Sequence, residues 1–174
     1  MAVKEKQNVT MKGAPLNLLG EGVEVGSTAP DFKVVNGSFS PVKLSDFKGK
    51  VLLISAVPSL DTGVCSASTV RFNKEMAKFG PDVLVMTISM DLPFAQARFC
   101  ESNKIDCVMV LSDHVWREFG MKYGILIENM GLLARAVFVV GKDGQVAFKH
   151  IVPEVTDHPD YNSVLAAVAD ASAK

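Results

Sequence analysis

Uninterrupted runs of apolar residues recur along the chain and predict the strands of a buried sheet. Three of them lie at residues 51–57, 83–89 and 107–111. Continuous apolar runs of this length are typical of parallel strands that are covered on both faces. Two further segments, at residues 135–140 and 145–151, flank the turn sequence Gly-Lys-Asp-Gly and predict a β-hairpin.

Apolar residues at steps of three and four positions predict the helices. The first helix follows the first strand and has one apolar stripe, formed by Cys65, Thr69, Phe72, Met76 and Phe79. A second helix begins near Asp91 and Pro93 and ends near residue 102. Ser112 or Asp113 is expected to cap a short third helix with Gly120 beyond its end. That helix carries Val115, Trp116 and Phe119. The stripe of the last helix is formed by Tyr161, Val164, Leu165 and Val168.

The order of these elements, β-α-β-α-β-α-β-β-α, predicts an α/β layer fold. Its parallel strands come first and its antiparallel pair comes last. Before them, residues 9–18 predict two short strands around a Gly-Ala-Pro turn. A chain of 174 residues suits one domain with one core, and no repeat or linker divides it. We therefore expect a single domain over residues 1–174, in which residues 1–25 form an N-terminal extension.

Composition and charge exclude several classes of partner. The chain has 18 Lys and Arg against 19 Asp and Glu, a net charge of -1, which gives no general attraction to nucleic acid or to an anionic membrane. No segment approaches the ~20 apolar residues that span a bilayer. Residues 1–10 lack the apolar segment of a secretory signal, and three cysteines fit a reducing compartment. A cytoplasmic location is expected, and a disulfide would then be transient and catalytic.

Cys65 is the first candidate for chemistry, because it lies where a buried strand passes through a polar turn into a helix. A thiolate is the reactive form of cysteine, and a free thiol with a pKa near ~8.5 is mostly protonated at neutral pH. The unpaired N–H groups and partial positive charge of a helix N-terminus stabilise a thiolate. The alternative is that Cys65 is a small buried apolar residue on the helix stripe.

Several strings of this sequence resemble the peroxiredoxins. Pro58-x-x-x-Thr62-x-x-Cys65 is similar to their active-site signature, Pro-x-x-x-Thr/Ser-x-x-Cys. Further strings resemble the bacterial thiol peroxidase subfamily in particular, and they lie at residues 13–15, 58–65, 89–100 and 131–136. The resemblance covers nearly the whole chain. It implies a thioredoxin fold with an added N-terminal β-hairpin, arranged as three α/β/α layers.

The resemblance also implies a role for each residue of the motif. Cys65 is the cysteine that attacks a hydroperoxide and becomes a sulfenic acid. Thr62 donates a hydrogen bond to its sulfur and to the peroxide, and Arg135 stabilises the charge that develops on both. Pro58 shapes and dries the pocket. Without the resemblance, Thr62 remains a turn or cap residue, Pro58 a strand terminator and Arg135 a solvated charge at a strand end.

A second cysteine completes the implied reaction cycle. Cys100 is the expected resolving residue, which forms an intramolecular disulfide with Cys65. Thioredoxin then reduces that disulfide, so no cofactor is needed. The activity removes hydrogen peroxide and organic hydroperoxides and serves antioxidant defence. Cys107 is expected to pack in the core, although its position near Cys100 makes it a rival resolving residue.

The resemblance further implies a homodimer, for which Trp116 and Tyr123 are candidate interface residues. Phe94 and Phe99 are candidates for an apolar pocket that favours organic peroxides. Some relatives that peroxide easily inactivates carry Gly-Gly-Leu-Gly and a C-terminal Tyr-Phe, and this sequence has neither. Resistance of Cys65 to over-oxidation is therefore a hypothesis.

Three other functions compete with this interpretation. A thioredoxin-like disulfide reductase normally carries Cys-x-x-Cys, whereas Ser68 and Thr62 occupy the positions three residues from Cys65. A redox sensor of the same fold has the same motifs and differs only in turnover. A metal site is disfavoured because the cysteines are far apart in sequence and the histidines form no compact ligand pattern. The histidines are His114, His150 and His158.

Overall fold

The computed structural model describes residues 8–174. Residues 1–7, which belong to the predicted N-terminal extension and to the segment compared with a secretory signal, lie outside the described residues. The strands are β1 Val9–Met11, β2 Ala14–Leu16, β3 Leu18–Leu19, β4 Lys33–Val35, β5 Pro41–Lys43, β6 Val51–Ala56, β7 Val83–Ser89, β8 Val108–Ser112, β9 Leu126–Ile127, β10 Ala136–Val140 and β11 Val146–Ile151. The helices are α1 Gly63–Glu75, α2 Pro93–Asn103, α3 Glu118–Lys122 and α4 Tyr161–Ala173.

Seven strands form the main sheet, in the order β11-β10-β6-β7-β8-β4-β5. β6, β7 and β8 are parallel, and the other neighbours are antiparallel. This confirms the predicted order of parallel strands followed by an antiparallel hairpin. Among residues 8–174, no helix is both long enough and apolar enough to cross a membrane.

The central strand β6 supplies residues to both faces of the sheet, because successive side chains of a strand point in opposite directions. Leu52 and Ile54 pack in one apolar cluster, which contains four large aromatic residues, Phe32, Phe119, Tyr123 and Phe138. Val51 and Leu53 pack in the other cluster, together with Phe72 of α1 and Val164 and Val168 of α4. The sheet is therefore covered on both sides, and the three-layer α/β fold is confirmed.

The predicted third helix is displaced toward the C-terminus. Gly120 lies inside α3, whereas the sequence placed it beyond the helix end. The helix begins late because Arg117, with a φ of 55°, interrupts the backbone before it. Asp113 still binds the start of this helix, since its carboxylate accepts hydrogen bonds from the backbone N–H groups of Phe119 and Gly120 at 3.2 and 2.8 Å. Burial raises the pKa of Asp113 to about 6.

The expectation that Tyr123 lines an interface is wrong. Tyr123 is 1% exposed, and its hydroxyl donates a hydrogen bond to the carbonyl of Pro30 at 3.1 Å. Its ring packs against the rings of Phe119 and Phe138, whose centroids lie 4.8 and 5.1 Å away. Trp116 is exposed in the single chain, so its side chain is accessible to a partner. The ammonium group of Lys33 lies over its ring.

β1 and β2 form the expected N-terminal hairpin, but its turn lies earlier than predicted. Lys12 and Gly13 form the turn and have φ values of 50° and 78°, so this two-residue turn needs backbone conformations that glycine adopts without strain. Ala14 and Pro15 are already in β2. Pro15 fits there because a two-stranded hairpin leaves an outer edge on which no N–H group is needed.

Glu154 binds this hairpin to the loop between β11 and α4. Its carboxylate accepts hydrogen bonds from the Thr10 hydroxyl at 2.7 Å and from the Lys12 and Gly13 N–H groups at 2.9 and 3.1 Å. The hydroxyl and N–H of Thr156 donate to it as well, at 2.8 and 3.2 Å. These hydrogen bonds to the charged form lower the pKa of Glu154 to about 2.

We expect Glu154→Gln to be less stable than the wild type at pH 7, by a margin that shrinks as the pH falls. A carboxyl group whose pKa is lowered by folding stabilises the folded state above its unfolded pKa, here 4.5. That contribution is lost as the pH approaches about 2. Urea unfolding between pH 7 and pH 2 measures the margin. Asp157→Asn in the same loop is the control, and a margin that does not vary with pH would contradict the prediction.

Candidate active site

Cys65 lies in the first turn of α1, directly beyond the carboxyl end of β6. Thr62 is the N-cap, with an extended backbone that leads from the preceding loop into the helix. The Cys65 side chain is fully buried and packs against Val57 and Leu60. The first helical turn leaves backbone N–H groups unpaired, so its partial positive charge lies beside the sulfur.

The Thr62 hydroxyl lies 2.7 Å from the Cys65 Sγ and 3.0 Å from the carbonyl oxygen of Ser59. Thr62 occupies the N-cap position, but its side chain makes no hydrogen bond to the helix backbone. The capping alternative is therefore wrong for this side chain, whereas its contact with Ser59, three positions earlier, fits the alternative of a turn residue. The hydroxyl is instead placed to donate a hydrogen bond to a thiolate at Cys65.

Arg135 reaches the same sulfur from the opposite side of the loop. It immediately precedes β10, and the antiparallel pairing of β10 with β6 sets Ala136 opposite Ala56 at the end of β6. The guanidinium Nη2 lies 3.2 Å from the Cys65 Sγ, and Nε donates to the carbonyl of Val155 at 2.9 Å. Arg135 is 3% exposed, which excludes a solvated charge at a strand end.

The buried guanidinium has one nitrogen, Nη1, without a hydrogen-bond partner among the described residues. Within residues 8–174, Arg135 also makes no salt bridge to a carboxylate. A buried positive charge is costly unless an anion lies beside it, and of its two partners, the Val155 carbonyl and the Cys65 sulfur, the sulfur is the one that can carry a negative charge. The site therefore suits a thiolate together with a second, oxygen-bearing group.

Comparisons with known proteins identify the family. Residues 24–165 match the Redoxin family model. The thiol peroxidases of Oceanobacillus iheyensis and Bacillus subtilis are each 52% identical over 159 residues, which is 91% of this chain and 96% and 95% of theirs. The chain belongs to the thiol peroxidase family. The enzymes of this family reduce peroxides through a cysteine thiol, and this chain is one of them.

A solved structure supports the same assignment. The peroxiredoxin-like protein from Aquifex aeolicus superposes with a TM-score of 0.88 at 44% identity, over 94% of this chain and 96% of that one. The thioredoxin-fold core predicted for this family member corresponds to β6 to α4. Among the described residues, no group of three or more His, Cys, Asp or Glu side chains is arranged to hold a metal ion.

The remaining motif residue, Pro58, is buried and lies two positions after the end of β6. It has no N–H group that would need a partner in this buried position. Phe99 of α2 is partly buried and packs against the cluster that contains Cys65. Phe94 is 67% exposed, so it lies at the surface, and its ring is tilted against that of Phe39 with ring centroids 5.4 Å apart.

All three cysteines are free thiols in this structure. Cys100 lies near the C-terminal end of α2, where partial burial raises the pKa of its thiol. The expectation that Cys107 packs in the core is wrong, because Cys107 is exposed and precedes β8. Its N–H donates to the Asn73 side chain at 2.8 Å. A hydrogen bond to Asp106 raises the pKa of the Cys107 thiol.

Sequence reasoning missed the role of Asp91, which it took for part of a helix start. The N-cap of α2 is Leu92, and the Asp91 carboxylate instead accepts a hydrogen bond from the N–H of Leu60 at 2.8 Å. An Asp before a Pro is an ordinary signal for a helix start. Nothing in that local pattern reveals a contact with the loop that precedes Cys65.

Proposed function

We propose that Cys65 is the peroxide-attacking residue of this peroxidase. The observation that carries the proposal is the convergence of the Thr62 hydroxyl and the Arg135 guanidinium on one buried sulfur, at 2.7 and 3.2 Å. The thiolate attacks the outer oxygen of the peroxide and forms a sulfur–oxygen bond as the oxygen–oxygen bond breaks. The inner oxygen leaves with a proton as water or an alcohol, and Cys65 becomes a sulfenic acid.

Arg135 and Thr62 are proposed to act on the transition state as well as on the thiolate. Negative charge moves from the sulfur toward the departing oxygen, and fixed donors in a dry site stabilise that charge strongly. The spare Nη1 donor of Arg135 is available for a peroxide oxygen. Pro58 contributes by excluding water beside the loop, since it is buried and carries no N–H group.

Cys100 is proposed to resolve the sulfenic acid. Its thiol attacks the Cys65 sulfur, a disulfide bond forms and water leaves. A disulfide requires Cα atoms within about 7 Å of each other. The two cysteines lie in different helices, so we propose that residues 64–70 and 94–103 unwind locally at each turnover. The raised pKa keeps Cys100 a thiol while α2 is folded.

The remaining parts of the cycle are proposed from family membership. Thioredoxin reduces the disulfide, hydrogen peroxide and organic hydroperoxides are both substrates, and the enzyme serves antioxidant defence in the cytoplasm. A homodimer is proposed as well. Exposed apolar side chains beside the start of α2 and before α3 support an interface there, and they include Leu92, Phe94 and Trp116.

The proposal is tested by mapping the cysteines after one equivalent of hydrogen peroxide. We expect a Cys65–Cys100 disulfide and a free Cys107, which mass spectrometry of alkylated peptides distinguishes. Thioredoxin-coupled turnover should be lost in Cys100→Ser and retained in Cys107→Ser. A Cys65–Cys107 disulfide would leave the peroxidase proposal standing and replace the resolving residue. An unmodified Cys65 would contradict the proposal as a whole.

A further inference from the structure

The Asp91 carboxylate joins the loop between β6 and α1 to the end of β7. The Ser59 hydroxyl donates a hydrogen bond to its Oδ1 at 2.7 Å. The N–H of Leu60 and the hydroxyl of Ser89 both donate to its Oδ2, each at 2.8 Å. The Ser112 hydroxyl donates to the backbone carbonyl of Asp91 at 2.6 Å and so fixes the main chain from β8.

At one end, this network reaches the reactive sulfur. Ser59 donates through its hydroxyl to Asp91, and its carbonyl oxygen lies 3.0 Å from the Thr62 hydroxyl, which has one hydrogen for either that oxygen or the sulfur. That same hydroxyl lies 2.7 Å from the Sγ of Cys65. Asp91 therefore positions Thr62 through Ser59 and does not itself touch the sulfur.

At the other end, the network reaches the helix that carries Cys100. The Ser89 hydroxyl accepts a hydrogen bond from Nε2 of Gln96 at 3.1 Å. Gln96 is 3% exposed and also donates to the carbonyl of Leu111 at 2.8 Å. Gln96 and Cys100 are four positions apart and therefore share one side of α2. A continuous chain of hydrogen bonds thus runs from the Cys65 loop to the turn before Cys100.

We propose that Asp91 is a positioning residue that holds the Cys65 loop and the Cys100 helix together in the peroxide-reactive arrangement. The inference rests on the proposed function, in which both segments must move before the cysteines pair. One carboxylate accepts hydrogen bonds from both sides, and loss of an acceptor leaves a buried donor unpaired. The two segments are therefore coupled, and the strength of the Asp91 contacts sets how often they open.

This coupling decides the fate of the sulfenic acid at Cys65. If the segments open, the Cys100 thiol condenses with it, a disulfide forms and water is released. If they stay closed, a second peroxide oxidises the sulfenic acid to a sulfinic acid and leaves as water or an alcohol. Weaker Asp91 contacts should therefore speed disulfide formation and protect against over-oxidation. They should also slow the first attack, because Thr62 is held less firmly.

Asp91→Asn tests the proposal, since an amide nitrogen cannot accept the hydrogen bonds that one carboxylate oxygen accepts. Ser59→Ala breaks the same network from the loop side. The control is Asp61→Asn, an exposed carboxylate in the same loop whose side chain makes no hydrogen bond within residues 8–174. Rapid-quench mass spectrometry follows the Cys65–Cys100 disulfide after one equivalent of peroxide, and sulfinic acid after an excess.

We expect the Cys65 sulfenic acid of Asp91→Asn to convert to the disulfide about tenfold faster than that of the wild type, as the loss of a hydrogen bond to a charged group implies. Ser59→Ala should show a smaller increase, both variants should accumulate less sulfinic acid, and Asp61→Asn should match the wild type. An unchanged ratio of disulfide to sulfinic acid beside a lowered melting temperature would reduce Asp91 to a structural residue and overturn the proposal.

Slower conversion of the Cys65 sulfenic acid to the disulfide in the variants would overturn it as well. If Asp91→Asn fails to fold, Ser59→Ala decides alone, since it removes one side chain from the network. The wild type measured in parallel separates the two hypotheses. Absence of the Cys65–Cys100 disulfide in the wild type contradicts the proposed function itself. Its presence at equal rates in all proteins contradicts only the role of Asp91.

Discussion

Cys65→Ser is expected to abolish peroxide reduction, with a fall of about 10⁴-fold or more in the rate of a single turnover. A serine hydroxyl does not ionise near neutral pH, and its oxygen does not accept an oxygen atom from a peroxide. The fold should persist, because serine is slightly smaller and Thr62 and Arg135 can still bind its oxygen. Peroxide consumption measured without any reductant isolates this first step from resolution and recycling.

Two other variants make the result specific to Cys65. Cys107→Ser replaces an exposed thiol that lies outside the site and should consume peroxide like the wild type. Cys100→Ser should retain the first turnover, since its thiol is needed only after the sulfenic acid has formed. Stoichiometric peroxide consumption by Cys65→Ser would contradict the assignment of the reactive cysteine. Circular dichroism of each variant confirms that the fold is intact.

The strands of the central sheet could be predicted because their signal is local. The second strand, β7, has the predicted bounds, and β6 ends one residue before the predicted end. Both are continuous apolar runs, and burial on both faces of the sheet selects such runs. The start of α3 could not be predicted, since it depends on the left-handed backbone of Arg117, which is an uncommon conformation for a residue with a side chain.

The predictions for Cys107 and Tyr123 were wrong for a different reason. Cys107 is exposed and Tyr123 is buried. Both lie at the edges of elements, where an apolar side chain is free to point toward the core or toward solvent. Asn73 of α1 binds the N–H of Cys107 and thereby sets the residue at which β8 begins. Tyr123 is buried because its ring packs against the rings of Phe119 and Phe138, which are distant from each other in sequence. Such contacts exist only once the sheet has assembled.

In the candidate site as well, the local motif could be predicted from the sequence and the contacts between distant segments could not. Pro58, Thr62 and Cys65 form one short motif, so their proximity follows from the sequence. Arg135 was indicated only by resemblance, because its approach to Cys65 depends on the pairing of β10 with β6. No sequence signal indicated that Val155 would accept a hydrogen bond from Arg135, or that Glu154 would bind the N-terminal hairpin beside it.

Glu154 and Arg135 together suggest why an N-terminal hairpin is attached to this fold. Thr10 pairs with the loop between β11 and α4 through two backbone hydrogen bonds. Its N–H donates to the Pro153 carbonyl at 2.8 Å, and its carbonyl accepts from the N–H of Val155 at 2.9 Å. The Val155 carbonyl in turn accepts the hydrogen bond of Arg135 Nε. The hairpin therefore steadies the backbone that orients the guanidinium, and it contributes to the site without touching the sulfur.

Arg135→Lys is expected to slow the reaction of Cys65 with peroxide by about 100-fold or more, the usual effect of losing a donor aimed at developing charge. Lysine keeps a positive charge but has no planar group, so one ammonium cannot bind the Val155 carbonyl, the sulfur and a peroxide oxygen together. Iodoacetamide alkylation of Cys65 requires the thiolate but no donor to a peroxide oxygen. We therefore expect alkylation to slow much less than peroxide reduction.

Arg71→Lys is the matched control, because Arg71 lies on α1, the helix that carries Cys65, but its guanidinium lies over the ring of Tyr161 at 4.1 Å and makes no hydrogen bond to the sulfur. It should leave both rates close to those of the wild type. Equal slowing of alkylation and peroxide reduction in Arg135→Lys would mean that Arg135 acts on the thiolate alone. The unpaired Nη1 would then have no part in the transition state. A larger loss with peroxide would mean that the guanidinium also binds the oxygen on which the charge develops.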